Sequence, residues 1–184
     1  MGKVIFITGG VRSGKSKFAL KLARGFGKKV IFLATGLPKD KEMAERVKIH
    51  QENRPRDWKT IAEEKNILKV IRRIKESFCH LLIIDCLTLF ISNLLLSDEA
   101  EGKILKEVRE IVKLLRKAKY TTIIVSNEVG DGVVPNNELA RRFRDLAGSA
   151  NQIVAERADE VYFVVAGIPI KLKGRGKKWK GSGG

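Results

Sequence analysis

Eight residues near the start of the chain, Gly9-Gly10-Val11-Arg12-Ser13-Gly14-Lys15-Ser16, fit the pattern G-x-x-x-x-G-K-[ST]. Glycine reaches backbone conformations closed to other residues, so successive N–H groups can turn inward around phosphate oxygens. Lys15 is placed to reach the outer phosphates, and the Ser16 hydroxyl can ligate Mg²⁺. A helix opening at that point adds the positive end of its dipole. The chemistry these residue types offer is binding of a nucleoside triphosphate.

Such a loop needs a carboxylate at the end of a neighbouring buried strand, and Asp85 closes the run Leu81-Leu82-Ile83-Ile84-Asp85. Its expected role is to hold Mg²⁺; the competing reading is an N-cap for the helix that follows. Glu128 is a second candidate on the same edge, or an ordinary loop acid. His50 stands four residues after Arg46 and four before Arg54, so on a helix all three share a face. Two guanidiniums disfavour protonation of the imidazole, which leaves a neutral ring able to act as a nucleophile. On spacing alone a surface histidine among arginines is the commoner reading. His80, just before a strand, reads as a surface residue.

The elements that must position these residues alternate along the chain. Lys3–Thr8, Lys29–Ala34, Leu81–Asp85 and Thr121–Ser126 are short, nearly continuous apolar runs, the pattern of strands buried on both faces. Between them helical spacing is expected over Ser16–Phe26, Asp40–Asn53, Asn66–Ser77, Leu87–Leu96 and Asp98–Lys119. A last helix is expected over Asn137–Arg157, and Pro55 ends the second of the set. Trp58–Ile61 reads as a further short strand. Asn127–Pro135 reads as a loop, and Val161–Val165 with Ile168–Leu172 as a hairpin around Gly167-Ile168-Pro169. Strand, glycine loop, helix, strand is a βαβ unit, so the fold class is α/β with a mostly parallel sheet. One domain is expected over residues 1–173, with 174–184 a basic, glycine-rich tail.

Composition narrows the function. The chain has 184 residues, with 37 Lys+Arg against 21 Asp+Glu and a formal net charge of +16. Two cysteines, Cys79 and Cys86, are too few for a disulfide scaffold and lack zinc-site companions, so a reducing cytoplasm is expected. No apolar run is long enough to span a membrane. The basic excess suits an enzyme that handles polyanionic nucleotides; without aromatic clustering on the strands, no nucleic-acid partner is expected.

Beyond the phosphate loop, the chain carries Ala34-Thr35-Gly36, then Asp40-Lys41-Glu42-Met43-Ala44-Glu45-Arg46 leading to His50, Arg54 and Trp58-Lys59-Thr60. Asp85-Cys86-Leu87-Thr88-Leu89 and Asn93-Leu94-Leu95 follow, then SNEVGDGVVP (126–135), LARRFRDLAGSANQ (139–152) and ADEVYFVVAGIPIKLK (158–173). In this order, from Val4 to about Lys173, the blocks resemble the bifunctional adenosylcobinamide kinase/adenosylcobinamide-phosphate guanylyltransferase family of cobalamin biosynthesis. The resemblance implies a single P-loop, RecA-like domain with a C-terminal antiparallel hairpin. It implies two reactions: phosphorylation of the aminopropanol hydroxyl of adenosylcobinamide by ATP or GTP, and transfer of GMP from GTP to adenosylcobinamide phosphate. In the second, His50 carries GMP as a phosphoramidate. The resemblance further implies nucleotide contacts at Gly9 through Ser16 (Gly10, Val11, Arg12, Ser13, Gly14 and Lys15 included). Others fall at Ala34, Thr35, Gly36, Gln51, Glu52, Asn53, Arg54, Ala62 and Asp85, with Mg²⁺ on Ser16 and Asp85. It also implies a homo-oligomer, a trimer in the family's manner.

Beside this, Lys15, Asp85 and His50 are the expected catalytic residues, with Arg46 or Arg54 offsetting charge that grows on the α-phosphate. Ala62 departs from the family, which places Glu there; here Glu63 follows one residue later. A small P-loop metabolite kinase, or a nucleotide-switched ATPase that binds nucleic acid, are the alternatives. The first leaves His50 and the 126–135 block without a purpose; the second predicts salt-dependent DNA or RNA binding that depends on the tail.

Overall fold

The apolar runs become the centre of one seven-stranded sheet in a computed structural model, which describes residues 2–36, 45 and 54–174. The strands are β1 (Val4–Thr8), β2 (Val30–Ala34), β3 (Lys59–Ala62), β4 (Leu81–Asp85), β5 (Thr121–Val125), β6 (Glu160–Val165) and β7 (Ile168–Lys173). Their order is β3-β2-β4-β5-β1-β6-β7. Every neighbouring pair is parallel except the terminal hairpin β6–β7. The helix expected over Asp40–Asn53 lies, Glu45 apart, outside the described residues, and with it Arg46, His50, Gln51, Glu52 and Asn53. So does the expected tail beyond Gly174.

Alternation along the strands divides the core in two. Val4, Phe6, Ile31, Leu33, Leu82, Ile84 and Ile124 face one layer of helices. That layer comprises α2 (Ile67–Arg73), α3 (Leu87–Leu95), α4 (Glu101–Lys117) and α5 (Glu138–Arg157). Ile5, Ile7, Val30, Phe32, Leu81, Ile83, Ile123 and Val125 face the other way, onto Ala19 and Ala23 of α1 (Lys15–Ala23) and onto Trp58. Burial on both faces explains why these strands read as unbroken apolar runs instead of alternating ones. On α4 the buried set Ile104, Val108, Ile111, Val112 and Leu115 follows helical spacing, with charged residues between.

Several boundaries differ from the sequence expectation, each for a local reason. The chain 66–77 is helical only to Arg73; Ile74 turns extended, and a separate 3₁₀ turn spans Glu76–Phe78. Asp98 does not begin α4. It lies at φ +56 after α3, where Asp98 N–H donates to Leu95 O and Glu99 N–H to Leu94 O, a Schellman termination. The hairpin turns at Ala166-Gly167, both at positive φ, which leaves Ile168 and Pro169 in β7.

Candidate nucleotide site

All the parallel strands end at one edge, and their last residues form a row. Ala62 pairs with Ala34, Ala34 with Asp85, Asp85 with Val125, and Val125 with Ile7. The chain leaves β1 toward β2 on one side, and leaves β5 across β1 toward β6 on the other. Open α/β sheets place ligands at such a divergence, outside the carboxyl ends of the strands.

The glycine loop occupies that position, between β1 and α1. Gly9 (φ +148) has no room for a side chain, because a Cβ there meets Val164 O at 2.2 Å. Gly14 (φ +99) is the residue before α1, and a Cβ on it approaches Gly167 Cα to 3.1 Å. The hairpin turn therefore buttresses the loop directly, and Gly167 N–H donates to Ser13 O at 2.8 Å. Lys15 is 7% exposed; its ammonium donates to Gly10 O at 2.6 Å and lies 3.5 Å from Ser13 Oγ, curled over the loop. Burial lowers its pKa, opposed by Cys86 and Asp85.

Asp85 ends β4, with β5 lying between it and β1. It nonetheless meets the loop: Ser16 Oγ donates to Asp85 Oδ2 at 3.2 Å. The two hard oxygen donors predicted for a divalent cation are thus brought together. The N-cap alternative for Asp85 has no support, since Cys86 occupies the N-cap position of α3. The Asp85–Cys86 peptide is cis and is clamped by Thr35, whose hydroxyl donates to Cys86 O (2.7 Å) and accepts from Cys86 N–H (2.8 Å). Burial, with Asp85 adding to it, pushes the Cys86 thiol up to about 11, so it is inert near neutrality.

Arg54 is the one member of the predicted arginine–histidine–arginine set within the described residues. Its guanidinium lies 3.5 Å over the centroid of the Phe32 ring on β2. Its Nη1 is buried with no hydrogen-bond partner among the described residues. Burial lowers its pKa, and the negative charge of Asp85 opposes that. A half-buried cation whose Nη1 has no partner among the described residues, held near Asp85, is suited to an anionic ligand.

Ala34 ends β2 on the same edge, and Thr35 and Gly36 follow it. Thr35 is wholly buried and acts on backbone, as described above. Ala62 is exposed at the end of β3. Glu63 does not substitute for a carboxylate at 62: its Oε1 accepts from the N–H groups of Lys65 and Asn66 at the start of α2, bonds that hold its pKa low. Glu128 is likewise turned inward on its own loop, accepting from Gly130 N–H at 2.9 Å, while its backbone N–H donates to Gly9 O at 2.9 Å. His80 is exposed, as expected.

Sequence reasoning did not find the polar groups beneath the site. Ser126 Oγ donates to Asn151 Oδ1 (2.7 Å) and lies 3.3 Å from Thr88 Oγ1; Thr88 Oγ1 accepts from Asn127 N–H, and Asn151 Nδ2 donates to Asn127 O. This network roots the loop after β5 on α3 and α5. Asn93 Nδ2 donates to Thr35 O at 2.9 Å and so supports the loop after β2. One signal was available: Asn93 is the only side-chain amide in the largely apolar helix 87–95, where a buried amide must find partners.

A family model for cobinamide kinase / cobinamide phosphate guanyltransferase matches residues 5–172. A bifunctional adenosylcobalamin biosynthesis protein of Pseudomonas aeruginosa is 42% identical over 168 residues, covering 91% of this chain and 96% of that one. Proteins of the same description from Escherichia coli and Salmonella typhimurium are 36% and 37% identical, each covering 92% of this chain and 99% of their own length. With the phosphate loop, Asp85 and Arg54 gathered at one sheet edge and nearly the whole chain matched, the chain belongs to the cobinamide kinase / cobinamide phosphate guanyltransferase family.

Proposed function

We propose that this protein phosphorylates the aminopropanol hydroxyl of adenosylcobinamide and then transfers GMP from GTP to the product, giving adenosylcobinamide-GDP. The observation that carries the reading is the meeting of Ser16 Oγ and Asp85 Oδ2 at 3.2 Å beside a loop over which Lys15 is curled. In the first reaction the acceptor hydroxyl attacks the γ-phosphorus, the bond to the nucleoside diphosphate breaks, and the hydroxyl proton passes to solvent. Lys15 and the loop N–H groups hold the transferring group and offset its charge; positioning and charge compensation are what this chemistry requires. Ser16 and Asp85 are the residues that would hold Mg²⁺, which would supply further neutralisation of the phosphate oxygens.

In the second reaction a nitrogen of His50 attacks the α-phosphorus of GTP and pyrophosphate leaves. An oxygen of adenosylcobinamide phosphate then displaces the imidazole. A neutral imidazole serves as nucleophile in the first step and, once protonated, as leaving group in the second. Arg54, four residues after His50, offers an N–H that has no partner among the described residues to charge growing on the α-phosphate. The relatives' description as bifunctional proteins of adenosylcobalamin biosynthesis supports both steps. Both thiols are free and buried, which fits a cytoplasmic setting. No helix among the described residues is long and apolar enough to cross a membrane. A corrinoid is large against 184 residues, and a homo-oligomer, a trimer in our reading, would offer it more surface.

The test is labelling with GTP carrying radioactive α-phosphate. Wild type is expected to acquire an acid-labile, base-stable label that His50→Ala lacks and that γ-labelled GTP does not give. Nucleotide binding without any α-label would sink the covalent mechanism and leave a plain P-loop kinase.

A further inference from the structure

Resting on that function, the question the chain leaves open is where the large acceptor sits. Folded proteins expose single apolar side chains routinely, but adjacent bare ones beside a catalytic edge call for an occupant. Val133 is 94% exposed and Val134 60%, side by side at the tip of the loop between β5 and α5. Leu139, in the first turn of α5, is exposed as well, and so is Val11 at the crest of the phosphate loop. The root of the valine loop is the reverse of its tip. Ser126, Thr88, Asn151 and Asn127 fix it through buried hydrogen bonds, and Glu128 N–H fastens it to Gly9 O of the phosphate loop itself. Glu128 Oε1 then closes on Gly130 N–H and sets the direction in which the chain leaves the root. A root shared with the nucleotide loop fixes where the apolar tip emerges, which reduces the ordering entropy a ligand there would forfeit on binding.

We propose that Val133 and Val134 are the docking platform for the corrin ring of the phosphoryl acceptor. Between its peripheral amide chains the ring presents methyl groups and macrocycle edge that suit apolar contact, and it carries its aminopropanol arm at the rim. Seated on the valines, it would leave the arm free to reach the neighbouring phosphate loop. A second copy of the chain is the other possible occupant, and the experiment separates the two.

The experiment compares wild type with the double variant V133S/V134S and with V133I. It uses equilibrium dialysis against adenosylcobinamide, a fluorescent GTP analogue as a check on the nucleotide site, and sedimentation for the assembly. Serine in place of a nearly bare valine leaves the fold intact. V133S/V134S is expected to bind adenosylcobinamide roughly tenfold or more weakly, from lost apolar contact, with unchanged GTP affinity and unchanged sedimentation. V133I, which keeps the apolar tip, is expected to bind it as wild type does. Affinity for adenosylcobinamide within twofold of wild type in V133S/V134S overturns the platform; if sedimentation changes instead, the valines belong to a contact between copies. Wild type that binds GTP but no adenosylcobinamide overturns the platform together with the proposed function, which distinguishes that failure from the first.

Discussion

At the scale of the single residue, the site is set by two kinds of constraint: places where a side chain has no room and places where one cannot be replaced. Gly9 is the first kind. Its φ of +148 and the Val164 carbonyl 2.2 Å from any Cβ leave β6 and the loop no way to accommodate even alanine without moving. Gly9→Ala is expected to cost about 2–3 kcal/mol in urea unfolding. Because the displaced backbone is the phosphate cradle, GTP affinity is expected to drop at least about tenfold; unaltered binding would show that the cradle tolerates the shift. Arg54 is the second kind. Lysine keeps its charge but loses both the planar stack on Phe32 and the fork of N–H donors. Arg54→Lys is expected to slow α-labelling of the protein by GTP about tenfold to a hundredfold while changing GTP affinity much less. Equal losses in binding and labelling would reassign Arg54 to ground-state binding.

Among elements, ties between strand ends and helices decide how firmly the sheet edge is held. Asp159, just before β6, accepts from Val4 N–H at 2.8 Å at the start of β1 and from Arg116 of α4 at 3.0 Å. Desolvation pushes its pKa up, but the Val4 N–H and the Arg116 guanidinium outweigh that and hold it below the ordinary carboxylate value. A depressed folded pKa means stability that is present above the unfolded value, about 3.9 for Asp, and lost as pH falls through the folded one. Asp159→Asn is expected to cost about 0.5–1 kcal/mol at pH 7, a figure reduced for partial exposure. The gap to wild type should close on acidification; a gap that persists at pH 2 would mean the amide fails for packing reasons. The strands were legible in the sequence because burial on both faces writes itself as an apolar run, and the phosphate loop because its eight residues are contiguous. What escaped was non-local. The Arg54–Phe32 stack and the Thr88–Ser126–Asn151 network join residues distant in the chain, and no periodicity records such pairings. Asp98 shows the same limit at short range: its helix-forming neighbours suggested a start for α4, whereas backbone hydrogen bonds made it the end of α3.

For the whole molecule, the outstanding quantity is the net charge of +16. A sheet edge carrying Arg12, Lys15 and Arg54 beside only a few carboxylates focuses positive potential where an anion must enter, and such a field acts on the rate of encounter. The GTP association rate is therefore expected to fall about fivefold or more between 0.05 and 0.5 M salt, while dissociation changes by less than about twofold. Stopped-flow fluorescence with a labelled GTP analogue reads both. Removing residues 175–184 takes away four of the sixteen excess positive charges, in a stretch the family model does not match. If the charge serves nucleotide capture, truncation should slow association by less than about twofold at 0.15 M salt and leave α-labelling at its normal rate. If instead it serves nucleic acid, the full chain should bind duplex DNA with an affinity that falls steeply with salt, and truncation should abolish that binding. The distribution of charge favours the first outcome: two of the cations that matter are anchored at the site, Lys15 by Gly10 and Ser13 and Arg54 by its stack on Phe32.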